Sequence, residues 1–302
     1  MRAAAALPAL ALALLVPTAA GAQAAGEPPA ASGLAVVASR LLLLPAPGCD
    51  VRYSPGSLDR AATAQEWLCE LAAGAARAVR RATPLEVLLL TRDEWTEARL
   101  SCAYGVPCRV APGVMALPAA GDPGTVELWR GVLGTLPALS GTPLVGSVEE
   151  VASLAPSDAM ASALAARELA AAVGFVVDEA WMSDVLGHLL FLDAARRGGT
   201  GRGEAMAGFW RAVRDLPAPA AAVPVAAGGS PGVSLREELQ RQAALFAVAE
   251  AIAGRAHRIP ARQLWRLQEK AGGTLRAADL RAEWPEALAA LEPAPGAAGP
   301  PR

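Results

Sequence analysis

The chain is 302 residues long, 53% hydrophobic, with 29 Gly, 25 Pro and a formal net charge of −2. That length holds one large domain or two small ones, enough in either case to bury a sizeable core. The near-neutral balance leaves no basic footprint for nucleic acid and no strongly acidic surface, so no nucleic-acid partner is expected. Lys270 is the only lysine. With so much Ala, Gly and Pro, this arginine bias reads as GC-rich codon usage rather than as function.

Met1 and Arg2 open the chain, residues 3–16 are apolar apart from Pro8, and Ala20-Gly21-Ala22 is a small-x-small signal. This predicts a secretory signal peptide over 1–22, cut after Ala22, against the alternative of a retained N-terminal anchor. The run is too short for a membrane span, and no later stretch is apolar for long enough. A secreted or periplasmic protein with no transmembrane segment after cleavage is the expectation. Cys49, Cys69, Cys102 and Cys108 would then oxidise. Four cysteines allow three connectivities. Cys102–Cys108, closing a short loop, and Cys49–Cys69, tying a strand to the helix after it, are favoured. A zinc site is not expected from them, because no Cys-x-x-Cys spacing occurs.

Residues 23–32 read as a disordered leader. Short strands are predicted over 34–37 and 41–44, and a half-buried strand over 49–53, where polar and apolar residues alternate. Ser57 can cap a long helix to about residue 81, with Ala61, Ala64, Leu68, Leu71, Ala75 and Val79 on its buried face. Residues 84–90 read as a central strand. Thr91 caps a short helix with acids in its first turn. Residues 102–113 are expected to form a loop and 114–118 a strand, and Thr125 to cap a helix through about residue 136.

From about 156 the pattern is helical. Ser157 is expected to cap a helix ended by Gly174, and further helices are predicted over 179–197 and 203–215. Residues 216–233 read as a linker. Ser234, with Glu237 three residues on, forms a capping box for a helix to about 256. Two more helices are placed near 260–272 and 276–291, before a disordered tail at 293–302. The predicted fold class is α+β: an N-terminal α/β part (33–155) with a small mixed sheet, then a mostly helical part (156–292).

Between Ala159 and Gly174 the only charged residues are Arg167 and Glu168. A charge pair on an alanine-rich helix is, by composition alone, a solvated face. The order of features gives it a second meaning. Strand, long helix and strand lead to a segment over 87–97. A loop (Tyr104-Gly105-Val106-Pro107) and an edge strand (Gly113-Val114-Met115-Ala116-Leu117-Pro118) follow. Next come Arg167-Glu168-Leu169-Ala170-Ala171 on one helix and Trp181-Met182-Ser183-Asp184 opening the next. This order, over roughly 45–290, resembles the gluzincin-type, peptidase MA-like metallopeptidases, whose motifs are His-Glu-x-x-His and Trp-x-x-Glu. Val185 stands where that group has a small residue.

The resemblance implies a zincin-like fold and places the first zinc ligand at Arg167, the general base at Glu168, the second ligand at Ala171 and the third at Asp184. A catalytic zinc needs three protein ligands and a water, two of them from His at i and i+4, with the Glu taking the water's proton. Arginine stays protonated and alanine has no donor atom. No metal or other cofactor is therefore expected. The implied function is a secreted, non-catalytic peptidase-like protein, a binding or envelope-associated module for an unknown protein or peptide. In it Arg167 would lie near Asp184 and Glu168, its charge standing in for Zn²⁺. The alternative is a divergent hydrolase using Glu168, Asp184 and His188.

The chain has only two histidines. His188, at i+4 from Asp184, suits an Asp–His pair better than a rebuilt metal site, and His257 lies near a helix end, where a cation suits the dipole. Ser183 has no nucleophile-elbow context. The glycine-rich 198–203 segment follows a helix and lacks the Lys-Ser/Thr of a phosphate loop. Glu149 and Glu150 carry no positional sign of a carboxylate pair. Most of the seven tryptophans read as core residues.

Overall fold

The computed structural model describes residues 31–79, 84–134, 148–198, 202–217, 234–255 and 260–291. The predicted signal peptide, most of the leader and of the linker, His257 and the tail lie outside them. In chain order the elements are α1 (Ala31–Arg40), β1 (Leu42–Leu44), β2 (Cys49–Tyr53), α2 (Leu58–Val79), β3 (Leu85–Leu90), α3 (Arg92–Glu97), β4 (Cys108–Ala111), β5 (Val114–Pro118), α4 (Pro123–Leu133), α5 (Val148–Ala172), α6 (Ala180–Gly198), α7 (Arg202–Arg214), α8 (Leu235–Arg255), α9 (Pro260–Lys270), α10 (Ala277–Glu283) and α11 (Pro285–Leu288). This is the α+β architecture expected from the sequence. No described helix is long and apolar enough to cross a membrane.

The sheet runs β1-β2-β3-β5-β4. Strands β2, β3 and β5 are parallel, and the outer strands β1 and β4 are antiparallel to their neighbours. Strand β3 is apolar at every position but Glu86, as suits a strand covered on both faces. Its alternation divides the core. Val87 and Leu89 face the large cluster beneath α2, α5 and α6, while Leu88 and Leu90 face a smaller one with Val37, Trp95 and Tyr104. Ala61, Ala64, Leu68, Leu71 and Ala75 are all buried on α2, as their spacing predicts. Six of the seven tryptophans are buried and Trp265 is half-buried, which makes them packing residues.

Several elements differ from their sequence prediction. Residues 34–37 belong to helix α1 rather than to a strand, and α1 already includes positions 31 and 32 of the predicted leader. Val37 and Leu41, one turn apart, are buried against the sheet, while Val36 is 51% exposed; the period is that of a helix. The segment 102–113 is not all loop, because Cys108–Ala111 forms β4. That strand, and not 114–118, is the sheet edge, since β5 sits between β3 and β4. Asp122, rather than Thr125, caps α4. Its Oδ1 accepts from the Thr125 amide at 2.8 Å, and Thr125 Oγ1 accepts from the Asp122 amide at 2.8 Å.

Helix α5 starts at Val148 and carries Pro156 inside it. Ser157 is therefore mid-helix, where its hydroxyl donates to the Gly105 carbonyl instead of capping. The expected boundary at 155/156 falls inside this helix, and one continuous core joins the sheet to α5–α8 and α11. The helix predicted over 276–291 is broken at Trp284, whose ψ of 61° precedes Pro285, because proline disfavours helical backbone in the residue before it. The capping box of Ser234 and Glu237 is formed as expected. Both disulfides are those favoured from the sequence, Cys49–Cys69 and Cys102–Cys108, with Cα–Cα distances of 5.2 and 5.8 Å.

Two features set the angle between α5 and α6. Gly187 lies against α5, and a Cβ there would stand 3.0 Å from the Arg167 amide nitrogen, so a larger residue would push the helices apart. The turn between them is held from α9. Gln268 Nε2 donates to the Gly174 carbonyl and its Oε1 accepts from the Val176 amide, both at 2.9 Å. Gln268 is buried, so Gln268→Ala leaves the half-buried Gly174 carbonyl without its donor. A loss of about 1–2 kcal/mol is expected, read as a lower urea midpoint together with faster exchange of the Val176 amide.

Candidate functional site

Of the residues that the resemblance singles out, Arg167 and Asp184 meet. Helix α5 presents Arg167 and Glu168, and α6 presents Asp184, where the closeness at Gly187 brings the two helices into contact. Arg167 Nη1 donates to Asp184 Oδ1 at 3.3 Å. This is the pairing of Arg167 with Asp184 expected from the sequence. Glu168 is held by a different cation: Arg109 of β4 places Nε 3.0 Å from Glu168 Oε1. Ala171 is exposed.

Helix α8 completes the site. Arg241, only 5% exposed, donates from Nη2 to Asp184 Oδ2 at 2.9 Å. It also makes a two-point contact with Glu238, Nε to Oε2 at 2.8 Å and Nη2 to Oε1 at 2.7 Å. Burial lowers the affinity of this guanidinium for its proton, yet the hydrogen bond to Glu238 and the charge of Asp184 outweigh it, and its pKa is raised. Both oxygens of Asp184 are thus occupied by arginine donors. The cluster has three carboxylates and three guanidiniums and is neutral in sum.

His188 turns away from all of this. It is fully buried, with ring centroids 5.4 Å from Trp210 and 5.5 Å from Phe246. Its Nε2 lies 3.0 Å from Gln242 Oε1, and the Gln242 amide nitrogen donates to Glu238 Oε1 at 3.0 Å. That second bond fixes which end of the amide faces the ring, so Nε2 carries the proton and Nδ1 does not. Desolvation holds the imidazole down at about 4, against the upward pull of Asp184 and Gln242. No Asp184–His188 hydrogen bond forms: the acid goes to arginine and the imidazole to glutamine. His188 is not placed to work beside Glu168 and Asp184 in a hydrolase.

A zinc ion does not fit these residues. Arg167 stays protonated and Ala171 has no donor atom, and Asp184 has a guanidinium on each oxygen. Among the described residues no group of three or more His, Cys, Asp or Glu could hold a metal. Sequence reasoning missed Arg109, Glu238, Arg241 and Gln242. A signal for Arg241 exists. It stands in the same stripe as Leu245, Val248 and Ile252, all of them buried, and an arginine in such an apolar stripe needs an acidic partner. Arg109 has no such signal, because nothing in residues 102–113 marks its strand off from a loop.

No family model, no curated protein and no solved structure matches this chain.

Proposed function

We propose that the protein is an exported, non-catalytic relative of the gluzincin-type, peptidase MA-like metallopeptidases, which acts by binding a protein or peptide in the cell envelope or outside the cell. The observation that carries this reading is Asp184, which takes Arg167 on one oxygen and Arg241 on the other. On this reading, fixed positive charge stands in for the metal of a metallopeptidase. The order of elements agrees with it: a sheet with an antiparallel edge strand, that edge joined to the motif helix through Arg109 and Glu168, then the helix opened by Trp181. Two disulfides suit an oxidising compartment, which supports export.

Metal analysis and a peptidase assay on the purified native protein test the reading. The expected result is no bound zinc and no hydrolysis. One zinc per chain, with activity lost on chelation, overturns it. A reconstruction tests the role of Arg241. Arg167→His, Ala171→His and Asp184→Glu together should bind zinc only weakly, because Arg241 still occupies the carboxylate at 184. Adding Arg241→Met should tighten binding at least tenfold in a calorimetric titration. Equal affinity with and without the fourth change removes Arg241 from the account.

A further inference from the structure

We infer that the rim of this arginine–carboxylate cluster is a carboxylate-binding site, in which Arg109 and Arg167 hold the free carboxylate of a peptide. The inference rests on the non-catalytic reading above and names the ligand class of the same site. The division of charge between inside and outside points to it. The carboxylate side chains are 9% exposed at Glu168 and 7% at Asp184, whereas the side chains of Arg109 and Arg167 are 51% and 37% exposed. In these two rim pairs, therefore, the guanidiniums face solvent and the acids are hidden.

Both rim arginines keep donors in hand. A guanidinium carries several N–H groups in a planar fork. Arg109 reaches Glu168 through Nε, and Arg167 reaches Asp184 through a single Nη1. The acids orient the two side chains while leaving the other donors toward solvent. Glu168, which anchors Arg109, is the residue after Arg167, so both rim arginines are tied to the same turn of α5. One turn further on, Ala171 is exposed and offers only a methyl. Beneath them Arg241 adds a third, buried guanidinium, whose Nη1 has no partner among the described residues. Paired planar donors match a carboxylate well. Arg109 also lies on the outermost strand of the sheet, where a peptide backbone can approach from the side.

The experiment uses the full-length mature protein and three probes. These are an N-acetylated tetrapeptide with a free C-terminal carboxylate, the same peptide as its C-terminal amide, and inorganic phosphate. Calorimetry should show the free acid binding at least tenfold more tightly than the amide. Arg109→Lys and Arg167→Lys retain the charge that Glu168 and Asp184 need, so both should fold. Each should bind the free acid about tenfold more weakly, because a point charge loses the fork geometry. Equal binding of acid and amide overturns the inference, as does wild-type affinity in both lysine variants or the absence of binding. Phosphate binding more tightly than the acid makes the site a phosphate site and also overturns it. Zinc-free protein that ignores the carboxylate loses this inference and keeps the non-catalytic reading, whereas zinc-loaded protein loses that reading first.

Discussion

Arg241→Met should destabilise the folded protein by about 3–5 kcal/mol, the range expected when one partner of a buried ion pair is removed. The argument is about what stays behind. Asp184 has a side chain only 7% exposed, and without Arg241 it keeps one cation, Arg167, at the longer distance of 3.3 Å. Glu238 is 30% exposed and can turn toward water, so the penalty falls mainly on Asp184. Arg241→Lys should recover little, since a single ammonium cannot reproduce donors from Nε and Nη2 to two acids. Arg241→Met with Asp184→Leu should recover most of the loss, because the buried charge is gone. The two ions left unpaired, Arg167 and Glu238, are 37% and 30% exposed and reach water. Urea unfolding of the three variants checks this. A loss under about 1 kcal/mol in Arg241→Met, or no rescue by the second change, means that the buried pair is not what holds α6 to α8.

Acidification should weaken the protein through His188. The buried imidazole takes up its proton near pH 4, against 6.5 for the ordinary group. The unfolded chain therefore binds a proton that the folded one refuses across that interval. Stability is full above about pH 6.5 and falls with pH by about 1.4 kcal/mol per unit, to about 3 kcal/mol in all. Between pH 6.5 and 5, before most carboxylates titrate, the slope of unfolding free energy should correspond to nearly one proton. His188→Asn, which can still donate to Gln242, should flatten that slope whatever its effect on absolute stability. Identical slopes in wild type and His188→Asn would show that the buried ring is not the group responsible.

Much of the fold was legible because its causes are local. The alternation in 49–53, the apolar spacing of Ala61, Leu68 and Ala75 and the Ser234–Glu237 capping box each act over a few residues, and each formed as read. The disulfides were legible because one closes a short loop and the other joins adjacent elements. Helix α1 was misread because a four-residue apolar run fits either period, and only its packing on Leu88 and Leu90 settles which face is buried. Strand β4 was missed because four residues with a bulge between Arg109 and Ala111 show no clear alternation. The start of α5 was misplaced because Pro156 and Ser157 look like a helix beginning, although both lie within the helix.

The candidate site divides in the same way. The sequence by itself determined that positions 167 and 171 offer no metal ligand, that two histidines are too few to replace them, and that Glu168 and Asp184 remain as acids in need of partners. Which cations those acids receive was left to the tertiary structure. Arg167 meets Asp184 across 17 residues and Arg241 meets it across 57, and Arg109 reaches Glu168 from the far edge of the sheet. Such pairings depend on how α5, α6, α8 and β4 pack, because burial makes an unpaired charge costly wherever the chain brings it. The third arginine could therefore be placed only once the helices were in place.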